Sequence, residues 1–491
     1  MSACSITAAI NTVASIDIQT AIAAVEKQLR EDVHASTAMK SAVSLLPIVV
    51  KLLLTQRGLN SSNSSKPPSS DPHRERKARA ISARSIGGQP DHEGTTLTPV
   101  NDPDEIQPIA IDRRTLPAGN YHESGFERRQ VIDLRIERYI TEFRAQVLEN
   151  EKGQRFVAQF PSGVTRPVQY GASIKANAVY MSMFQLIPYE RVQTHFEENY
   201  SLPISTGSLS NFNREAFTRL ERFEALAKQE LPQETVIHAD ETGINIGGVR
   251  HWLHNASSNH WTLFYAHSKR GAEAMNDIGV LPNFHGTLVH DHWKPYYLYS
   301  CAHALCNAHH LRELTHALEE DGQRWAEKMH ELLLGINEAV KATAGALTAV
   351  EARKWRTRYR QVLRSADSEC PPPVAASAAP KRGRIKRSKS RNLLERLRDY
   401  EDDVLRFMEN EAVPFTNNQG ERDIRMTKVQ QKISGCFRSM EGAKVFCRIR
   451  SYLSTCSKNG VGVGEALERL FDGEWPEFIQ EKFDSIRECA E

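Results

Sequence analysis

Apolar residues along this chain change period several times, and the changes divide it. Between residues 16 and 56, Ile18, Ile22, Val25 and Leu29 recur at spacings of four and three, and Val43, Leu46, Val50 and Leu53 resume that register. This helical period predicts either a short coiled coil or a helix packed on its own domain, kinked at Pro47. Over 60–71 the chain turns to Asn, Ser, Lys and Pro, a linker too polar to bury. Arg74, Arg76, Lys77, Arg79 and Arg84 follow it, a basic segment suited to phosphate contacts or simply to solvation. Low-complexity character runs on to about residue 120. Alternation then appears in 138–147 and 155–160 around Glu151-Lys152-Gly153, predicting a β-hairpin in a small β-rich module.

Helical spacing returns at 174–186 and breaks at Pro188, after which 190–198, 201–206 and 207–217 read as helix, turn, helix. Thr206 is the expected N-cap, and the second helix would show Ser208, Ser210, Asn211, Asn213 and Arg214, side chains able to reach bases or phosphates. A DNA-reading helix-turn-helix and two ordinary packed helices both fit this pattern. From about 234 the runs become strands: 236–239, 249–254 and 260–267, then a helix from Gly271, then 286–290. That order is α/β. The first of these strands delivers Asp240 to its end and the last delivers Asp291, followed by His292 and Trp293. A carboxylate at such a place is either salt-bridged or a ligand. Two of them converging on one sheet edge repel unless a cation lies between, and hard oxygen donors suit Mg²⁺ or Mn²⁺.

Composition adds little to that division. With 491 residues, 40% hydrophobic and 25% charged, the chain resembles ordinary soluble multidomain proteins, and 63 Lys and Arg against 61 Asp and Glu leave a formal charge of only +2. Local basic clusters therefore matter more than net charge. The eight cysteines show no repeated spacing, which points to a reducing cytoplasm, and neither a signal peptide nor a membrane span is apparent.

A third acid is expected in 414–426, where Asn417 or Asn418 can cap a helix presenting Glu421, Arg425 and Lys428 on one face, with Arg422 beside them. This is either a metal ligand beside phosphate-binding cations or an i,i+4 salt bridge between Glu421 and Arg425. Lys381, Arg382, Arg384, Lys386 and Arg387 open a basic loop for DNA or for solvent. Cys301, Cys306, His309 and His310 are an alternative zinc set, although a helix starting near Ala308 would split the two histidines between faces. His292 or His309 beside the acids could instead touch phosphate or order a metal ligand.

The segments 238–242, 289–293 and 417–425 resemble the three acidic motifs of TnpC-type transposases of bacterial insertion sequences, the insertion-sequence sixty-six family. Support comes from 60–71, from Cys306-Asn307-Ala308-His309, and from Ser434-Gly435 through Gly442. The resemblance implies a multidomain α/β protein with an RNase H-like catalytic domain, a mixed sheet with helices, interrupted by a helical insertion. It implies Asp240, Asp291 and Glu421 as catalytic residues and as ligands of Mg²⁺ or Mn²⁺, with His238, His292 and His309 as supporting groups. Expected boundaries are 1–58 (helical), 59–120 (basic linker), 121–170 (β-rich), 171–230 (helix-turn-helix), 231–320 and 413–472 (catalytic), 321–412 (insertion) and 473–491 (tail). The implied activity is metal-dependent cleavage and strand transfer at insertion-sequence ends. The implied partners are terminal inverted repeats and target DNA, further copies of the chain on DNA, and accessory proteins of the same element. The implied location is the cytoplasm, at the nucleoid. A decayed relative that only binds DNA is the alternative. Many relatives carry a cysteine-rich zinc-binding segment before the helix-turn-helix, and this chain has no cysteine there.

Overall fold

The computed structural model describes residues 97–343, 345–372 and 387–488, together with short stretches between 12 and 50. Two of those stretches, β1 (Thr12–Val13) and β2 (Ile16–Asp17), pair antiparallel, and described positions between 24 and 50 are almost all helical. Ile18, Ile22, Leu29 and Leu53, the 60–71 linker and the basic segment behind it lie outside the described residues. Contacts divide the chain into two units, residues 75–160 and the remainder.

In the smaller unit a hairpin joins β3 (Val147–Glu149) to β4 (Arg155–Val157). Gly153, at φ +75, closes its turn in the left-handed region that favours glycine. The first strand begins where the expected alternating segment ends. Tyr139, Ile140 and Phe143 are exposed, because alternation alone makes no strand where none of the described residues of the unit covers its apolar face. The expected β-rich module is therefore, among the described residues, one short hairpin.

The larger unit is built on a five-stranded sheet in the order β7-β6-β5-β8-β9, from β5 (Val236–Ile246), β6 (Val249–Ser257), β7 (Thr262–His267), β8 (Thr287–His290) and β9 (Ala302–Leu305). β5, β6 and β7 are antiparallel neighbours, whereas β8 and β9 run parallel to β5. Two expectations fail here. β5 runs on past Asp240, because Ile244 and Ile246 are buried and β6 pairs with it as far as Ile246. β9 carries no alternation and is held by its pairing to β8.

Helices α1 (Ala172–Val179), α2 (Tyr189–Tyr200), α3 (Thr206–Arg219) and α4 (Glu221–Glu230) precede the sheet. They share its core. Phe223 of α4 meets Trp261 and Tyr452 with ring centroids at 6.3 and 5.2 Å. α2 and α3 do form helix, turn, helix, with Ser201 left-handed at φ 48. Ser205, not Thr206, caps α3 by accepting a hydrogen bond from Ser208 N. Asn213 does not face outward either. It is buried, donating to the Tyr189 hydroxyl and accepting from Ser182.

After β7 come α5 (Ala272–Ile278) and, beyond β9, α6 (Asn307–Glu319), α7 (Arg324–Ala342), α8 (Ala349–Glu369), α9 (Lys389–Asp399) and α10 (Glu401–Leu405). Leu288 and Val289 point to opposite sheet faces. Leu288 joins the core shared with α1–α4, and Val289 joins a second core with Trp325, Met329 and Tyr359 from the inserted helices. The chain closes with α11 (Asn418–Ser434), α12 (Met440–Lys458), α13 (Val463–Asp472) and α14 (Glu477–Glu488). No helix among the described residues is long and apolar enough to cross a membrane.

Candidate active site

Parallel pairing of β5 with β8 sets Val236 against Thr287, Ile237 against Leu288 and His238 against Val289. The pairing ends there, and the same register carried two residues further would set Asp240 level with Asp291. Asp291 lies just past β8, where its Oδ1 accepts the Trp293 N–H at 3.0 Å. His292 at φ 71 then turns the chain away. Glu421 comes from the first turn of α11, which lies against β5 and β6. Burial, then the charges of Glu241, Asp291 and Glu421, push the Asp240 carboxyl up to about 8 against the pull of the Glu241 N–H. Three acids from distant parts of the sequence thus share one electrostatic environment.

Asn417 fixes the helix that carries Glu421. Its side chain does not cap α11. It accepts from His238 Nδ1 at 2.7 Å and donates to the Ala239 carbonyl at 2.9 Å, while its N–H donates to Cys306 Sγ at 3.1 Å. Gly420 allows the approach, since a Cβ there would stand 2.9 Å from Asn417 Oδ1. Asn255, cross-strand neighbour of Asp240, donates to the Gly420 carbonyl at 3.2 Å. His238 is therefore a buried anchor for α11. Replacing Asn417 by Ala leaves the His238 N–H and Ala239 carbonyl unpartnered, and a thermal melt should show a loss of about 1–3 kcal/mol.

Beside Asp240, Glu241 has a side chain only 2% exposed and accepts from Arg270 at 2.5 and 2.9 Å. The Tyr296 hydroxyl donates to its other oxygen at 2.5 Å. Arg270 lies between two indoles, 4.8 Å from the Trp252 ring centre and 4.3 Å from that of Trp293. Sequence reading missed Arg270 and Tyr296, because nothing local ties either to Glu241. An acid directly beside Asp240 was the available signal that a counter-charge was needed.

Arg422, Arg425 and Lys428 are exposed on α11. Glu421 lies 3.8 Å from His309 Nδ1, and no ion pair joins it to Arg425 among the described residues. Lys428 reaches across to donate to the Gly243 carbonyl at 2.8 Å. Asn211 is exposed on α3, and Arg214 there lies 3.7 Å from Glu441. Arg387 is ion-paired with Glu395, while Lys381, Arg382, Arg384 and Lys386 lie outside the described residues. His292 turns its Nδ1 to the Tyr297 hydroxyl at 2.8 Å and packs on Tyr400. Burial, with Arg396 and Lys294 nearby, lowers its pKa to about 4. The proposed zinc set does not assemble. His310 is buried against Asn307, and neither it nor Cys301 joins the group formed by Cys306, His309 and Glu421.

The donors at the acid cluster suit a hard divalent ion. They are carboxylates whose mutual repulsion such an ion relieves, and Glu421 Oε1 is a buried atom with no hydrogen-bond partner, but among the described residues the ligand atoms that lie within 4.8 Å of one another are those of Cys306, His309 and Glu421, without Asp240 or Asp291.

Comparison with known proteins agrees with the motifs. One weak similarity is to the Uncharacterized protein y4jO of Sinorhizobium fredii, 28% identical over 132 residues, which are 26% of this chain and 41% of that protein. The chain thus spans about two-fifths of that curated relative's length. Residues 17–98 match a family of unknown function (DUF6444). Residues 167–445, more than half of the chain and including all three acids, match the model described as Transposase IS66 family, and the chain belongs to that family.

Proposed function

We propose that this protein is a transposase that cuts DNA at the ends of an insertion sequence and joins the freed 3′-hydroxyls to target DNA, with Asp240, Asp291 and Glu421 as its acid triad. The observation that carries this reading is that Asp291 and Glu421, from distant parts of the sequence, both act on the Asp240 carboxyl, which burial and these charges raise to about 8. The sheet order, three antiparallel strands followed by two parallel ones, supports an RNase H-like class for the domain. Two Mg²⁺ or Mn²⁺ ions bound there would activate the attacking oxygen and stabilise the leaving one. The protein's own part is to hold the three acids in register and to position DNA with Arg425, Lys428 and Arg422. Asn211 and Arg214 on α3 are the proposed reading surface for terminal repeats. Assembly of several copies on paired ends, accessory proteins of the element and a nucleoid location in the cytoplasm complete the proposal.

The deciding experiment incubates the protein with labelled terminal-repeat DNA and Mg²⁺ and looks for strand breaks. Binding without nicking, once metal binding is confirmed, would mean a DNA-binding protein that has lost cleavage. Breaks that ignore element ends would mean a nuclease of other purpose.

Replacing Arg425 and Lys428 together by Ala should weaken DNA binding evenly across sequences and reduce the salt slope by about 2 units. Folding should change little, since both side chains are exposed and the double variant gives up one exposed hydrogen bond, from Lys428 to the Gly243 carbonyl, worth about 0.5–1.5 kcal/mol. A clear loss of thermal stability with an unchanged slope would show the two residues to be structural.

A further inference from the structure

One side of Glu421 faces groups of a different chemistry. Cys306 Sγ, His309 Nδ1 and a Glu421 oxygen all lie within 4.8 Å of one another. Two of these atoms, His309 Nδ1 and Glu421 Oε1, are buried with no hydrogen-bond partner. They stand 3.8 Å apart, too far for a hydrogen bond. An ion bonded to each at about 2.0–2.2 Å spans that gap.

We propose that Cys306, His309 and Glu421 form a binding site for a borderline transition-metal ion such as Zn²⁺ or Co²⁺, overlapping the acid cluster through Glu421. Sulfur and imidazole donors favour such ions over Mg²⁺. The Asn417 N–H donates to Cys306 Sγ, and hydrogen bonds of that kind orient metal ligands; burial raises the thiol, so the thiolate forms only as the ion binds. Binding expels the thiol proton to solvent as the S–metal bond forms. Cys306 is buried, but Glu421 and His309 are partly exposed and give the ion its way in. An ion held here takes an oxygen of Glu421 away from Asp240 and Asp291, so Zn²⁺ would act as an antagonist of the hard ion beside it.

The test titrates Co²⁺ into the full chain without DNA and reads the near-ultraviolet thiolate-to-cobalt charge-transfer band, so it stands or falls apart from cleavage. The band should appear in the wild type, vanish in Cys306→Ser, and persist in Asp291→Asn. His309→Gln, at a partly exposed position that spares the core, should weaken Co²⁺ binding at least tenfold. A wild type without the band would overturn the proposal. So would a band that survives Cys306→Ser, because another cysteine would then be the ligand, or one lost only in Asp291→Asn.

Discussion

Asp240→Asn should abolish strand cleavage, by about 10²–10³-fold or more, the scale of losing one group that stabilises charge in a transition state, while DNA binding is kept. The same variant should change how stability depends on pH. The folded Asp240 carboxyl titrates at about 8, far above the value of about 3.9 in an unfolded chain. The native state therefore binds an extra proton between those values. Stability present below about pH 4 is lost as pH rises to about 8. Metal-free wild type should melt at progressively lower temperature across that window, and Asp240→Asn should melt with a flatter dependence. Mg²⁺ should restore the wild type at about pH 8, since an ion then takes the place of the proton. Normal cleavage by Asp240→Asn would sink the assignment of the triad, and a pH dependence shared equally by wild type and variant would sink the electrostatic account of it.

Arg270→Ala should cost about 3 kcal/mol, read from urea unfolding. It removes the counter-charge from Glu241, whose side chain is 2% exposed, and breaking a buried pair costs about 3–5 kcal/mol. The lower end applies because Arg270 is itself more than one-third exposed and water can take part of its place. Packing is lost too, since the guanidinium fills the gap between Trp252 and Trp293. Cleavage should fall as well. Without Arg270, Glu241, already raised chiefly by burial, holds its proton still more tightly and stands neutral beside Asp240, which changes the field at the acids. A variant as stable as wild type would show that Tyr296 alone satisfies Glu241.

What the sequence showed and what it hid divide along a physical line. Short apolar runs revealed β5 and β8, so the nearness of Asp240 and Asp291 could be anticipated from strands alone. The continuation of β5 could not, because Gly243 reads as its end, whereas the strand runs through that glycine by pairing with β6 and buries Ile244 and Ile246 beyond it. Asn213 reads as a surface side chain on a polar helix until Ser182 and Tyr189 close over it. Glu421 was ambiguous locally, as its helix equally suits an i,i+4 pair. The choice between ligand and salt bridge depends on where α11 docks, and Asn417, reaching to His238 and Ala239, decides that at long range.

The distribution of the acids also has a consequence during synthesis. Asp240 and Asp291 leave the ribosome first, and Glu421 follows only after the inserted helices have been made. Contacts of such wide separation form late. If the proposed triad is the cleavage centre, a nascent or truncated chain ending before Asn417 holds only two of its three acids, and the host chromosome should meet no cutting activity until α11 has been made and has docked.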